Sequence, residues 1–301
     1  MRKPDFFIVG APKCGTTSMK RYLGEHPEIF MPRSDREPHF FGTDLYKRTF
    51  IRDEQSYLSL FAEAKNEKRV GEKSVRYLYS ERAAAEIKKF QPSASIIIML
   101  RNPVDQLHSN HYLRVYRGVD NLVDFEAALE AEEDRSRGLR LPAGRSLRER
   151  WSVLYRDVPR YTHQIQRYLD VFDRENVHII VFDDFVSDLT EVYRETLRFL
   201  RVDPDFRPEF RKINPGRRVR SRTVYNLVED RPQFVRSIVK VIMPYQLRDR
   251  ILKGLLRLNS SHAPRPPMRP ELRRQLQEEF LPEVEQLSKL LGRDLTYWCK
   301  T

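Results

Sequence analysis

Residues 5–18 read Asp5-Phe6-Phe7-Ile8-Val9-Gly10-Ala11-Pro12-Lys13-Cys14-Gly15-Thr16-Thr17-Ser18. Four consecutive apolar residues ending on a glycine read as a short buried strand, because a strand covered on both faces has no polar side to alternate with. Beyond the loop, Met19, Tyr22 and Leu23 fall at helical spacing within Ser18–His26. Strand, glycine-bearing loop and helix, in that order, open an α/β unit built to hold phosphate. The first backbone N–H groups of such a helix have no intrahelical partner, and its dipole adds partial positive charge at the same end.

The loop glycines, Gly10 and Gly15, have the G-x-x-x-x-G spacing of a nucleotide-phosphate loop. A nucleoside-triphosphate loop carries lysine directly after the second glycine. Here that place is Thr16, and the lysine stands three residues earlier, at Lys13. Thr16, Thr17 and Ser18 add hydroxyl donors to one phosphate site, while Lys13 approaches from the front of the loop, suited to a bridging or leaving-group oxygen.

Two more continuous apolar runs, Ser95–Leu100 and Val177–Phe182, each precede a helical pattern, one reaching about Tyr116 and the other about Leu200. Pro103 suits a first helical turn, where its missing N–H costs nothing. Further helices are expected at Gln55–Ala64, Glu81–Phe90, Phe125–Glu133, Ser146–Phe172 (long and amphipathic), Gln233–Val241, Tyr245–Leu256 and Glu271–Leu291. The last follows a proline-rich connector, His262–Pro270. The fold class is α/β: a parallel sheet flanked by helices, with a P-loop-like phosphate-binding loop, helical insertions and a helical C-terminal part. With no internal repeat, one domain over residues 1–301 is expected.

Composition narrows the function. The chain has 55 Lys+Arg against 43 Asp+Glu, a net charge of +12, and 11 glycines with no low-complexity tract. No apolar run approaches the roughly 20 residues of a membrane helix, and the short Phe6–Val9 run is no secretory core. Two cysteines, Cys14 and Cys299, encode neither a disulfide framework nor a zinc site. A reduced, cytoplasmic protein is expected. The basic balance suits nucleic acid, acidic membranes or anionic small substrates alike. Arg211–Arg222, with six basic residues and no acid, is the densest basic stretch.

The segment Pro12-Lys13-Cys14-Gly15-Thr16-Thr17-Ser18 after its strand resembles the 5′-phosphosulfate loop of sulfotransferases that use 3′-phosphoadenosine-5′-phosphosulfate (PAPS). In those enzymes an arginine at a strand end and a serine eight residues on hold the 3′-phosphate. Arg101 and Ser109 in Leu100-Arg101-Asn102-Pro103 through Ser109 match that pattern, and a guanidinium fork with a hydroxyl suits phosphate chemically. Arg36-Glu37-Pro38-His39-Phe40-Phe41 resembles the K-E-x-H-F-F segment of the carbohydrate, heparan sulfate-like branch, whose glutamate is the proposed base. The resemblance gives that role to Glu37, with His39 a second candidate or a structural partner. Gly71-Glu72-Lys73-Ser74-Val75-Arg76-Tyr77 resembles the family's G-E-K-[ST]-P-x-Y, whose lysine lies at the reaction centre. Lys73 takes that place, although Val75 replaces the family proline.

Arg220, Ser221 and Arg222 lie, on a looser match, where the family has a phosphate-contacting segment and would close over the donor's phosphates, with Arg217 and Arg218 left for an anionic acceptor; which of the two the Arg217–Arg222 loop contacts stays open. The resemblance implies sulfuryl transfer from PAPS, leaving 3′,5′-adenosine bisphosphate (PAP), to an acceptor hydroxyl on a carbohydrate, without a metal. The acceptor's identity, the position sulfated and the oligomeric state are not encoded in any motif.

Two other readings stay open on the residues alone. Val177–Phe182 followed by Asp183 and Asp184 imitates the magnesium-holding strand of a nucleotide kinase, but an aspartate after a strand commonly caps the next helix, and both are read as structural. A basic nucleic-acid-binding module would use the Arg211–Arg222 charge yet leave both phosphate motifs without a role. No nucleic-acid partner is expected. Leu295, Tyr297 and Trp298 are read as packing.

Overall fold

The run Phe6–Gly10 forms strand β1 of a parallel sheet in a computed structural model that describes residues 2–34, 36–210, 217–219, 260–262 and 266–300. The other strands are β2 (Ile29–Phe30), β3 (Arg69–Lys73), β4 (Ser95–Leu100) and β5 (Val177–Val181), in the order β2-β3-β1-β4-β5. Every pairing in this five-stranded sheet is parallel. β1 and β4 are buried along their whole length, as continuous apolar runs should be when helices cover both faces.

β3 has no such signature. Arg69-Val70-Gly71-Glu72-Lys73 carries one branched apolar residue, yet it pairs with β1 from Phe6↔Gly71 to Ile8↔Lys73. Gly71 makes the close approach possible, since a Cβ there would fall 2.1 Å from Phe6 and 2.3 Å from Met31. Arg69 fastens the opposite end of the sheet: Nε donates to Asp5 at 2.6 Å, Nη2 to Ser95 Oγ at 2.9 Å and Nη1 to Leu200 O at 2.8 Å.

The α-helices among the described residues are α1 (Thr16–Leu23), α2 (Glu54–Leu58), α3 (Ala83–Phe90), α4 (Pro103–Tyr116), α5 (Phe125–Glu130), α6 (Glu132–Ser136), α7 (Tyr161–Leu169), α8 (Phe182–Ser187), α9 (Leu189–Leu200) and α10 (Pro270–Leu291). Asn102 caps α4, its side-chain oxygen accepting from Val104 N at 3.0 Å, with Pro103 in the first turn as expected. One core runs through the sheet and takes in Val284 and Leu287 of α10 with Leu295 and Trp298 beyond it.

Several expected boundaries shift for local reasons. The long helix over Ser146–Phe172 is instead a 3₁₀ turn, Leu147–Val153, followed by turns and then α7. Pro159 has no N–H to give, and the Tyr155 and Arg156 amides donate to the Glu132 carboxylate, the latter at 2.9 Å. Gln55–Ala64 shortens to α2 and a 3₁₀ turn, and Phe125–Glu133 divides into α5 and α6 at Ala131. Phe182 begins α8 rather than ending β5. Asp188 interrupts the helix beyond it and caps α9 by accepting from Glu191 N at 3.0 Å. Within the expected basic loop, Arg217–Val219 is a strand (β6) paired antiparallel with Ser260–His262 (β7). The helices expected at Gln233–Val241 and Tyr245–Leu256 lie outside the described residues.

Gly71→Ala should lower stability by about 2–3 kcal/mol, the usual scale of overpacking in a filled core. Urea unfolding of the two proteins measures it, and a wild-type midpoint would show that Phe6 and Met31 can yield.

Candidate active site

β1 and β4 are neighbours, but the chain leaves β1 toward β2 and β3 on one side and leaves β4 toward β5 on the other. Parallel sheets open a crevice beyond the strand ends at such a reversal. The segments crossing it are residues 11–15 and residues 101–102. They touch: Arg101 Nη1 donates to Lys13 O at 3.4 Å, and Ala11 N donates to Met99 O at 2.7 Å.

The loop is held from outside. Gln106 of α4 donates to Pro12 O at 3.0 Å, and Cys14 Sγ lies 3.9 Å from the Tyr161 hydroxyl of α7. Lys13 takes φ 69° and Gly15 φ 90°, left-handed conformations that are uncommon for a residue bearing a side chain such as Lys13. No side chain caps the start of α1, and its first turn contains no acid, so the amide dipoles there are left for an anion. Thr16 is buried, Ser18 half-buried and Thr17 exposed. Cys14 is wholly buried, and burial pushes its thiol up to about 12. Its side chain belongs to the core, so any contact it makes with a ligand is through its backbone amide.

Arg101 leaves the end of β4 with its guanidinium 4.7 Å from the Phe182 ring centroid and 3.9 Å from Asp105. Asp105 is shared, pairing with Arg273 at 2.7 Å. Ser109 lies two turns along α4 and is buried.

The end of β3, adjacent to β1, carries the other half of the site. Lys73 Nζ donates to Glu37 Oε1 at 2.5 Å, Val75 N donates to Oε2 at 3.1 Å, and His39 Nε2 lies 3.0 Å from Oε2. Burial raises the Glu37 carboxyl, but Lys73 and His39 outweigh it and hold the carboxyl well below the usual range. Burial depresses His39 despite Glu37, so the neutral ring presents Nε2–H to the carboxylate. Its Nδ1 has no hydrogen-bond partner among the described residues. His39 also takes φ 48°, held by its N–H donating to Ser74 Oγ at 3.0 Å. His39 is thus placed to orient the Glu37 carboxylate, the geometry-holding alternative of its two sequence readings.

Residues not singled out from sequence complete the frame. Glu72 points into the core, accepting from Ser74 Oγ at 2.6 Å and Tyr57 OH at 3.3 Å. Burial, with Glu37 nearby, raises its carboxyl to about 7. Arg52 gathers the carbonyls of His39, Phe40, Phe41, Gly42 and Leu45 at 2.6–3.0 Å. Arg76 is 4% exposed with Nη1 unpartnered among the described residues, its guanidinium 5.1 Å from the Trp151 ring centroid; burial lowers it to about 10. Glu72 and Arg76 sat inside a recognised segment, but only three-dimensional placement distinguishes one buried carboxyl from another.

Asp183 and Asp184 are structural, as expected, though not as helix caps, since no side chain caps α8. Asp183 accepts from Trp298 Nε1 at 2.6 Å and from the half-exposed Tyr297 hydroxyl at 2.9 Å, while Asp184 pairs with Arg293. Leu295 and Trp298 pack as read, and Tyr297 is a hydrogen-bonding residue more than a packing one. Arg220, Ser221 and Arg222 lie outside the described residues, as do the side chains of Arg217 and Arg218.

Because Glu72 binds its proton more tightly folded than unfolded, its contribution falls as pH rises from about 4.5 to about 7. Glu72→Gln should therefore gain stability relative to wild type between pH 5 and pH 8, by up to about 3 kcal/mol. Denaturant unfolding at both pH values measures this. A pH-independent difference would show that Glu72 titrates normally.

Comparisons with known proteins give the family and the fold. The family described as "Sulfotransferase domain" matches residues 3–214. A crystal structure of a sulfotransferase from Alicyclobacillus acidocaldarius is 33% identical, with a TM-score of 0.73 over 99% of each chain. Human carbohydrate sulfotransferase 15 is 26% identical over 67% of this chain and 44% of its own length. The human bifunctional heparan sulfate N-deacetylase/N-sulfotransferase 3 is 29% identical over 68% of this chain and 23% of its own length. The chain thus spans less than half the length of these curated relatives.

Proposed function

The chain belongs to the sulfotransferase domain family, and from that premise we propose that it moves a sulfuryl group from PAPS to an acceptor hydroxyl, with the acceptor a carbohydrate. The observation that carries the reading is the meeting of three neighbouring strand ends: Lys73 on β3, the Lys13 loop after β1 and Arg101 after β4. The names of the relatives support a carbohydrate acceptor. A reduced, cytoplasmic setting belongs to the same reading, and both cysteines are free.

In this mechanism the amides of residues 13–17 with Thr16, Thr17 and Ser18 hold the 5′-phosphosulfate, and Arg101 with Ser109 takes the 3′-phosphate. The acceptor oxygen attacks sulfur in line with the phosphate oxygen that leaves. One S–O bond forms, the bond to the phosphate breaks, and the hydroxyl proton passes to Glu37. Lys13 meets the charge growing on the leaving oxygen, giving PAP. As it stands, Glu37 is too well paired to be a strong base. When Lys73 turns to the bound sulfuryl group, the carboxylate loses its main counter-charge and its proton affinity rises. The field comes from the chain's own cations and dipoles, so turnover without added metal is expected.

Calorimetric titration tests the donor. PAP should bind tightly with or without magnesium and ATP weakly, whereas magnesium-dependent ATP preference would favour a kinase. Arg101→Ala should weaken PAP roughly tenfold to a hundredfold, as for losing a charged hydrogen bond, and leave 5′-AMP nearly unchanged. Equal losses would remove Arg101 from the 3′-phosphate. Glu37→Gln should keep PAP affinity and cut turnover by about 10²–10⁴-fold; unchanged turnover would exclude Glu37 as the base.

A further inference from the structure

Nine arginines lie between residues 135 and 167: Arg135, Arg137, Arg140, Arg145, Arg148, Arg150, Arg156, Arg160 and Arg167. Five are ion-paired: Arg135 with Asp120, Arg137 with Glu133, Arg140 with Asp134, Arg145 with Glu149, and Arg156 with both Glu132 and Glu279. The other four have no ion pair among the described residues. Those four, Arg148, Arg150, Arg160 and Arg167, all line one groove of about 500 Å³. That volume lies within the range of small-ligand sites.

The groove has the chemistry of a saccharide bearing negative charge. Arg148 and Arg160 are exposed and make no side-chain hydrogen bond among the described residues, Arg148 lying 6.0 Å from the Tyr46 ring centroid, while Arg167 is fixed by donating to Leu78 O and Tyr79 O at 3.2 Å. Glu81 and Asp157 also line the groove and have no ion pair among the described residues, offering acceptors to hydroxyl groups. Asp44 is occupied at its wall, accepting from Glu81 N at 2.9 Å and from the Ser80 hydroxyl. Guanidinium forks beside free carboxylates suit a ligand that carries both anions and hydroxyls.

The groove also adjoins the proposed reaction centre. Trp151 lines it, and its ring lies 6.2 Å from that of Phe50, which lies 4.4 Å from that of His39. Buried Arg76, with its unpartnered Nη1, packs on the same Trp151. The segment clamped by Arg52 runs from His39 to Leu45, so one end is at the Glu37 centre and the other forms groove wall.

We propose that this groove is an acceptor subsite that binds an anionic group, sulfate or carboxylate, on a saccharide unit away from the hydroxyl that reacts. The proposal rests on the sulfuryl-transfer reading for its position. It implies that the acceptor is an extended acidic glycan rather than a single neutral sugar.

The test measures binding of a sulfated uronate–hexosamine hexasaccharide to wild type and to the double variant Arg148→Ala/Arg160→Ala, in low salt. Wild type should bind, and the variant should bind at least about tenfold more weakly, as for loss of charge-assisted contacts. Arg148→Lys/Arg160→Lys should recover part of the loss. Desulfated and carboxyl-reduced hexasaccharides identify which anion is held. Equal binding by wild type and the alanine variant, or no binding by wild type, overturns the subsite. PAP titration of the same proteins separates the two readings. Intact PAP binding with no hexasaccharide binding removes the groove alone. Arginine-dependent hexasaccharide binding without PAP binding keeps the groove and removes the donor assignment.

Discussion

Parallel pairing of β1 with β3 on one side and β4 on the other is the constraint from which the site follows. Parallel strands present all their C-terminal ends at one edge, so Lys73, the Lys13 loop and Arg101 cannot avoid being neighbours. Gly71 lets β3 approach β1 closely enough to pair, and Arg69 secures the opposite ends of the same three strands. A rigid edge matters for group transfer because preorganised charge acts only where its geometry is already set.

The electrostatics of the free protein describe a resting state. Lys73 and Glu37 neutralise each other in a largely buried place, the Lys73 side chain 6% and the Glu37 side chain 21% exposed, with His39 completing the carboxylate's shell. Separating such a pair without substitutes would leave an uncompensated buried charge, which is strongly unfavourable. A sulfuryl group can take Lys73 and an acceptor hydroxyl can meet Glu37. The proposed chemistry therefore needs both substrates present before the base becomes effective.

How much of this could be read from the chain depended on whether a feature was local. β1, β4 and β5 announce themselves as apolar runs, and α4 by its Asn-Pro start, because these signals are carried by consecutive residues. β3 was legible only as a motif, since its strand character comes from pairing with β1 and not from its own side chains. The loop around Lys13, the Arg101–Ser109 spacing and the Glu37 segment were visible. Their mutual contacts, and the parts of Arg52, Glu72, Ser74 and Arg76, were not, because residues 35 positions apart meet only through the sheet. The long helix expected near Ser146 failed for the converse reason. Its periodicity was good, but the Glu132 carboxylate takes the amides of Tyr155 and Arg156, and a distant acceptor leaves no trace in local spacing.

The five carbonyls gathered on Arg52 bear on how the protein can diversify. One guanidinium ties the segment that carries His39 to the segment that walls the neighbouring groove. A change of loop length between residues 42 and 50 would therefore be felt at the carboxylate as well as at the surface. If the groove holds the acceptor as proposed, new acceptor preferences are reached with less disturbance through the far wall, where Arg148 and Arg160 stand on backbone that Arg52 does not hold. Selection acting on the two walls would leave them diverging at different speeds, with the Arg52 side conservative and the arginine side free to vary.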